Sequence, residues 1–350
     1  LVKGARGMFR PNGSYYRNLS YGTSPVPPSQ GGDVKTKKNM MNQTIHNLIN
    51  EQLTSWETAR NNYEALSTVK VKELDVNGVP YKVQFNPARI VSSGAKVDAK
   101  TIKERKCFLC PANLPAVQKG IPFKEHYNIL VNPFPIFPRH LTIPEQAHVD
   151  QRIASRMEDM LDLAQALTDY VIFYNGPKCG ASAPDHAHFQ AGNKGFLPVE
   201  KDWRNQIAGK IVEMEEATLW YLNDAPRATL VIESSSKEKA ACLFDAVYRS
   251  LTVKPGEEEP MMNVLAMYEE NKWVVFVFPR EKHRPACYTA EGDANLLSSP
   301  ASVDLGGVFI TPVEKDFLKI TAEDVAQILS EVCLSASDFE QLRKRIQEQF

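Results

Sequence analysis

No stretch of this 350-residue sequence is apolar for long enough to cross a bilayer, so a helical membrane anchor is not expected. It begins without an apolar signal core, which gives no reason to expect export. Neither sign of charge is in excess. Lys and Arg number 41 against 42 Asp and Glu, a net charge of −1, so nothing global draws the chain to nucleic acid or an anionic membrane. Cysteine is scarce, with six residues, and that excludes a disulfide framework in a chain this long. The expectation is a cytoplasmic protein with neither nucleic acid nor membrane as partner. What is present, 43% hydrophobic and 24% charged residues, is ordinary for a globular protein with one large core or two medium ones.

Residues 1–39 are rich in Gly, Pro, Ser, Lys and Arg without hydrophobic period, and are expected to be disordered or foreign to the fold. From Met41 to Leu66 the apolar spacing of Ile45, Leu48, Ile49, Leu53 and Trp56 predicts a helix. Asn77-Gly78 between the alternating runs Val69–Leu74 and Tyr81–Phe85 predicts a hairpin. Further strands are expected at Tyr127–Asn132, Leu141–Ile143, Tyr170–Tyr174 and His186–Gln190, with a helix through Ile153–Leu167. The second half predicts helices near Trp203–Tyr221 and Lys237–Leu251, strands at Thr229–Glu233, Asn263–Tyr268 and Trp273–Phe278, and two closing helices after Ile320. This mixture indicates an α+β fold, and the similar order of the two blocks suggests duplication without a clean sequence repeat.

Chemistry concentrates between Cys107 and Gln190. Cys107-x-x-Cys110 has the spacing of two thiolates on a tetrahedral zinc, with His148 and His186 as the remaining ligands; a redox pair or two plain reduced cysteines would read the same. His186-x-His188-x-Gln190 would place three polar groups on one strand face, which is either an exposed polar face or a site. The preceding loop of small residues, Asn175–Asp185, carries Lys178 and Ser182, and its backbone N–H groups could cradle phosphate. That juxtaposition favours phosphoryl chemistry.

These motifs resemble the galactose-1-phosphate uridylyltransferases of the histidine-triad superfamily. Cys107–Asn113, Asn132-Pro133-Phe134, Phe173-Tyr174-Asn175, Gly180-x-Ser182 and His186-x-His188-x-Gln190 follow that family's order, and Ile143-Pro144 followed by His148 is also similar. The resemblance covers about residues 85–195. It implies a histidine-triad-like antiparallel sheet with flanking helices, in two repeats: a catalytic one over 40–199 and a degenerate one over 200–350. It further implies that His188 is the nucleophile taking a nucleotidyl group, with Gln190 binding the transferred phosphate. Asn175 and Ser182 would lie near the phosphates, Asn132 and Phe134 near the nucleoside, and Cys107, Cys110, His148 and His186 around a structural zinc.

Ala187 and Phe189 depart from the family's Pro and Gly and are closer to GDP-hexose phosphorylases. Only His283 occurs in the second half, so a second metal site is not expected. Arg89, Lys178, Arg280, Lys282 and Arg284 are the candidate phosphate cations, and Arg280, Lys282 and His283 are favoured because they follow directly on an apolar strand. His140, after Pro138-Arg139, is expected to close a turn. The implied activity is nucleotidyl transfer from a nucleoside-diphosphate sugar to phosphate or a sugar 1-phosphate, with a homodimer as the assembly to test. The alternatives are an Ap4A phosphorylase and a non-catalytic, zinc-stabilised nucleotide-binding protein.

Overall fold

The computed structural model describes residues 31–90, 94 and 97–350. The expected disordered segment therefore falls outside the described residues up to position 30. Residues 31–39 form the first turns of a helix, Gly31–Ser55, and a second helix, Glu57–Leu66, follows a break at Trp56. The single helix expected over Met41–Leu66 is thus two.

Thirteen strands are described. β1 (Lys70–Val76) and β2 (Val79–Phe85) form the expected hairpin, closed by Asn77 and Gly78 at φ 55° and 83°, the double left-handed turn that suits Asn-Gly. β2 pairs in parallel with β13 (Val308–Thr311), making a three-stranded sheet.

The other ten form one antiparallel sheet. In the first half these are β3 (Gly120–Phe123), β4 (Tyr127–Val131), β5 (His140–Pro144), β6 (Tyr170–Asn175) and β7 (His188–Asn193). In the second they are β8 (Ile207–Met214), β9 (Ala217–Leu222), β10 (Leu230–Ser234), β11 (Met262–Glu269) and β12 (Lys272–Pro279). The spatial order is β3-β4-β5-β7-β6-β11-β12-β10-β9-β8. Read inward from each edge, both halves run first, second, third, fifth, fourth strand. Each half also inserts one helix between its third and fourth strands, Met157–Ala166 and Lys237–Ser250. The expected α+β sheet with two repeats is therefore visible as a topological duplication joined at β6 and β11.

Strand alternation sorts the core onto two faces. Leu141, Ile143, Ile172, Phe189, Val264 and Val275 pack against the helices, including the C-terminal Ala336–Gln347. Val171, Phe173, Leu265, Val274 and Phe276 face the three-stranded sheet and the helix Ala322–Val332. Among the described residues no helix is long and apolar enough to cross a membrane.

One element differs in type. The helix expected near Trp203–Tyr221 is only a short helical turn followed by the hairpin β8–β9. Register shifts at Ile207/Gly209 and Lys210/Val212 break the two-residue alternation of β8, and its apolar residues then fall at spacings that imitate a helix.

Candidate active site

β7 begins at His188, not at His186. His186 and Ala187 belong to the bend before the strand, so His186 does not share the face of His188 and Gln190 as strand geometry alone predicts. Instead the His186 ring turns to the two cysteines. Its Nδ1 lies 3.3 Å from Cys107 Sγ, 3.6 Å from Cys110 Sγ and 3.2 Å from His148 Nδ1, and Cys110 Sγ is 3.2 Å from His148 Nδ1. Ligand bonds of ~2.0–2.3 Å in a tetrahedron give edges of about 3.3–3.8 Å, close to these separations. His186 Nε2 donates to the Glu145 carbonyl at 2.7 Å, which leaves Nδ1 unprotonated and able to ligate. His148 Nε2 lies 3.8 Å from Asp185, itself paired with Arg105. The four side chains thus form a set that can hold a metal ion.

His188 lies at the floor of a cleft of about 770 Å³ with Gln190, Asn132, Phe134, Asn175 and Ser182. Its Nδ1 donates to the His186 carbonyl at 2.8 Å, so Nε2 is the ring nitrogen left for chemistry. Burial lowers its pKa to about 4, partly offset by that backbone hydrogen bond, and the ring is neutral near pH 7. Gln151, which nothing in the sequence singled out, clamps the backbone of His188. Its Oε1 accepts from His188 N at 2.8 Å, and its Nε2 donates to the carbonyls of His188 and Asn175, both at 3.0 Å.

The loop after β6 is pinned by the second half of the chain. Asn175 Oδ1 accepts from Asn263 Nδ2 at 2.9 Å and from the Ser302 hydroxyl at 2.7 Å, while Asn263 also donates to the Cys179 carbonyl at 2.7 Å. Gly180, at φ 90°, sits where a Cβ would be 2.5 Å from Ala301 Cβ, so only glycine lets the loop approach that segment. Asn175 therefore lines the cleft with its side-chain oxygen already committed.

The expected cations divide. Arg89 lines the cleft and donates to the Phe134 carbonyl at 2.8 Å; burial lowers its pKa to about 10. Three others do not reach it. Lys178 is on the outside of the loop, paired with Glu257. Lys282 is exposed, 3.5 Å from Glu331. Arg280 is buried, and its five N–H groups go to Asn263 Oδ1 and the carbonyls of Val332, Pro300, Lys282 and His283, at 2.6 to 3.1 Å. It braces the fold and has no donor left for phosphate. His283 and Arg284, both candidates from the sequence, do line the cleft, as do Arg105 and Asp304, which no motif marked. Asp304 accepts from the backbone of Ala301 and Ile310, and burial raises its pKa to about 6. His140 is fully buried and bonds Gln190, more than closing a turn.

Two family models match consecutive parts of the chain: a domain of unknown function (DUF4922) over residues 48–193 and a GDPGP1-like C-terminal domain over residues 198–350. No curated protein sequence matches. Among solved structures, yeast Ap4A phosphorylase Apa2 is similar at a TM-score of 0.57 and 19% identity, over 84% of this chain and 97% of that one. Its complex with AMP gives 0.58 and 19%, over 85% and 97%, and its complex with Ap4A gives 0.54 and 18%, over 86% and 97%. Identity this low shows the fold. The chain therefore shares the fold of that phosphorylase. Its C-terminal part, residues 198–350, is similar to the GDPGP1-like C-terminal domain.

Proposed function

We propose that this chain is a nucleotidyltransferase or phosphorylase that cleaves a nucleoside-diphosphate sugar through a nucleotidyl group carried on His188. The observation that carries this reading is the His188 ring: buried, neutral, fixed through Nδ1 to the His186 carbonyl, and set in a large cleft beside Gln190. In the first step Nε2 forms a bond to the α-phosphorus, and the bond from that phosphorus to the bridging oxygen breaks. The sugar phosphate leaves with the electron pair. In the second step an oxygen of inorganic phosphate or a sugar 1-phosphate attacks the same phosphorus, the P–N bond breaks, and the neutral ring returns. Gln190, Ser182, Arg89 and the loop amides around Gly180 would stabilise charge on the phosphoryl oxygens. Asn132 and Phe134 lie on the side expected to take the nucleoside.

A sugar as the leaving partner is supported by what the second half contributes to the cleft. His283, Arg284, Ser299 and Asp304 bring polar groups that can bond sugar hydroxyls and the sugar phosphate, beside the apolar Ala301, Val303 and Ile310.

Cys107, Cys110, His148 and His186 would hold a zinc ion, which their two-thiol, two-imidazole donor set fits. With four protein ligands it would supply structural cross-linking of the loops and no open position for substrate.

The test is a panel of nucleoside-diphosphate sugars and dinucleoside polyphosphates, each with and without inorganic phosphate, read by nucleotide release and by the mass of the intact enzyme. Phosphate-dependent release from a sugar nucleotide with one nucleotidyl adduct is expected. Turnover of dinucleoside polyphosphates alone would assign the other phosphorylase activity. Binding without turnover would leave a nucleotide-binding protein.

A further inference from the structure

Gln190 is useful to a phosphoryl group only in one orientation. Its NH2 must face the cleft, because the amide oxygen would repel an anion. Nothing about a glutamine fixes that choice, since the side-chain amide is nearly symmetric in shape.

His140 removes the ambiguity. β5 and β7 are antiparallel neighbours with His140 opposite Gly192 and Thr142 opposite Gln190, so His140 and Gln190 are diagonal on one face. Gly192 leaves room there for Phe137, whose ring a Cβ would meet at 2.3 Å, and Phe137 packs edge-on against His140 at 5.4 Å. The His140 ring is fully buried. The backbone N–H of Ile136 donates to its Nδ1 at 3.1 Å. Nδ1 is therefore the acceptor, and the ring proton sits on Nε2. Nε2 lies 3.0 Å from Gln190 Oε1, and Asn132 Nδ2 points at the same oxygen from 3.4 Å.

We propose that His140 is a positioning residue that locks the Gln190 amide with its oxygen held inward and its NH2 presented to the cleft. The inference rests on the proposed role of Gln190. The polarity runs one way, from the Ile136 amide through the imidazole to the glutamine. The ring stays neutral because burial, with Arg89 nearby, holds its pKa down to about 3.

The test uses the full chain, with GDP-glucose and UDP-glucose plus inorganic phosphate as probes. His140→Phe keeps the ring and removes both nitrogens, and should lower kcat by about 10- to 100-fold with little change in KM. His140→Gln, which can donate and accept again, should recover most of the loss. In a Gln190→Ala background His140→Phe should change kcat by less than about 2-fold, because the group it positions is gone. An equal loss in both backgrounds, or full activity of His140→Phe, overturns the proposal.

A second readout needs no turnover. In 15N-histidine-labelled protein at pH 7, the long-range nitrogen spectrum should show His140 as the Nε2–H tautomer, assigned by its disappearance in His140→Gln. The Nδ1–H tautomer overturns the lock even if neither probe reacts or His140→Phe fails to fold. The Nε2–H form in an enzyme inert to the whole panel would retain the lock and reject the transferase reading.

Discussion

The carbonyl oxygen of His186 lies 2.8 Å from Nδ1 of His188. One residue thus offers its ring to the Cys/His cluster and its backbone to the proposed nucleophile. The candidate metal site and the proposed chemistry are coupled through a single peptide, and this coupling makes the effect of the Cys/His cluster testable.

Cys107→Ser and Cys110→Ser should each lower bound zinc from about one equivalent per chain to well below it. The melting temperature should fall, and so should kcat, because the bend that holds His188 loosens. Elemental analysis beside thermal unfolding checks this. A metal-free wild type of full activity and unchanged melting temperature would refute the structural role.

Replacing the proposed nucleophile separates chemistry from folding. His188→Ala should lose about 10³-fold or more in turnover and give no nucleotidyl adduct by intact mass. Its near-ultraviolet circular dichroism should remain native, since Gln151 still bonds the backbone of residue 188. Unchanged turnover would dismiss the covalent route.

Buried neutral histidines predict acid sensitivity. Burial lowers His140 from 6.5 to about 3 and, with Arg284, Arg280 and Lys178 nearby, His283 from 6.5 to about 4. In the unfolded chain both take up a proton near pH 6.5, whereas the folded chain resists until pH 4 and below. Proton uptake therefore favours unfolding across that window, and stability present above pH 6.5 is lost as the pH falls. The urea midpoint should be level near pH 7–8 and decline from about pH 6.5 towards 4, less steeply in His283→Gln. A midpoint independent of pH down to 4 would contradict this.

Arg280 and Lys282 should behave oppositely to ligands of phosphate. Arg280→Ala leaves Asn263 and four carbonyls without their donor, and should cost about 3 kcal/mol or more of stability. Lys282→Ala should stay within about 0.5 kcal/mol and leave substrate affinity unchanged. Urea unfolding and nucleotide binding measure both. A stable Arg280→Ala with a raised KM for phosphate would return that residue to the site.

The sequence by itself determined what depends on near neighbours. Asn77-Gly78 fixes its turn because both residues tolerate positive φ. The spacing of Cys107 and Cys110, and the order of His186, His188 and Gln190, already marked residues that the fold gathers in the Cys/His cluster and the cleft. Most strands were legible because each face of the sheet meets one core, so alternation is written into the chain. Only the tertiary structure decided how those groups are used. The start of β7 separates His186 from His188, and that depends on where β5 and β6 stop pairing. Arg280 is withdrawn from the cleft, and His283 and Arg284 admitted, by backbone carbonyls brought from residues 300 and 332. β8 escaped recognition because its bulges, with Gly209 pressed against Tyr221, erase the period that marks a strand. His140 and Gln151 have no motif, since a lone buried histidine or glutamine takes its meaning from the partner that folding supplies. The partners are 50 residues away in one case and 37 in the other, a separation that local pattern does not register.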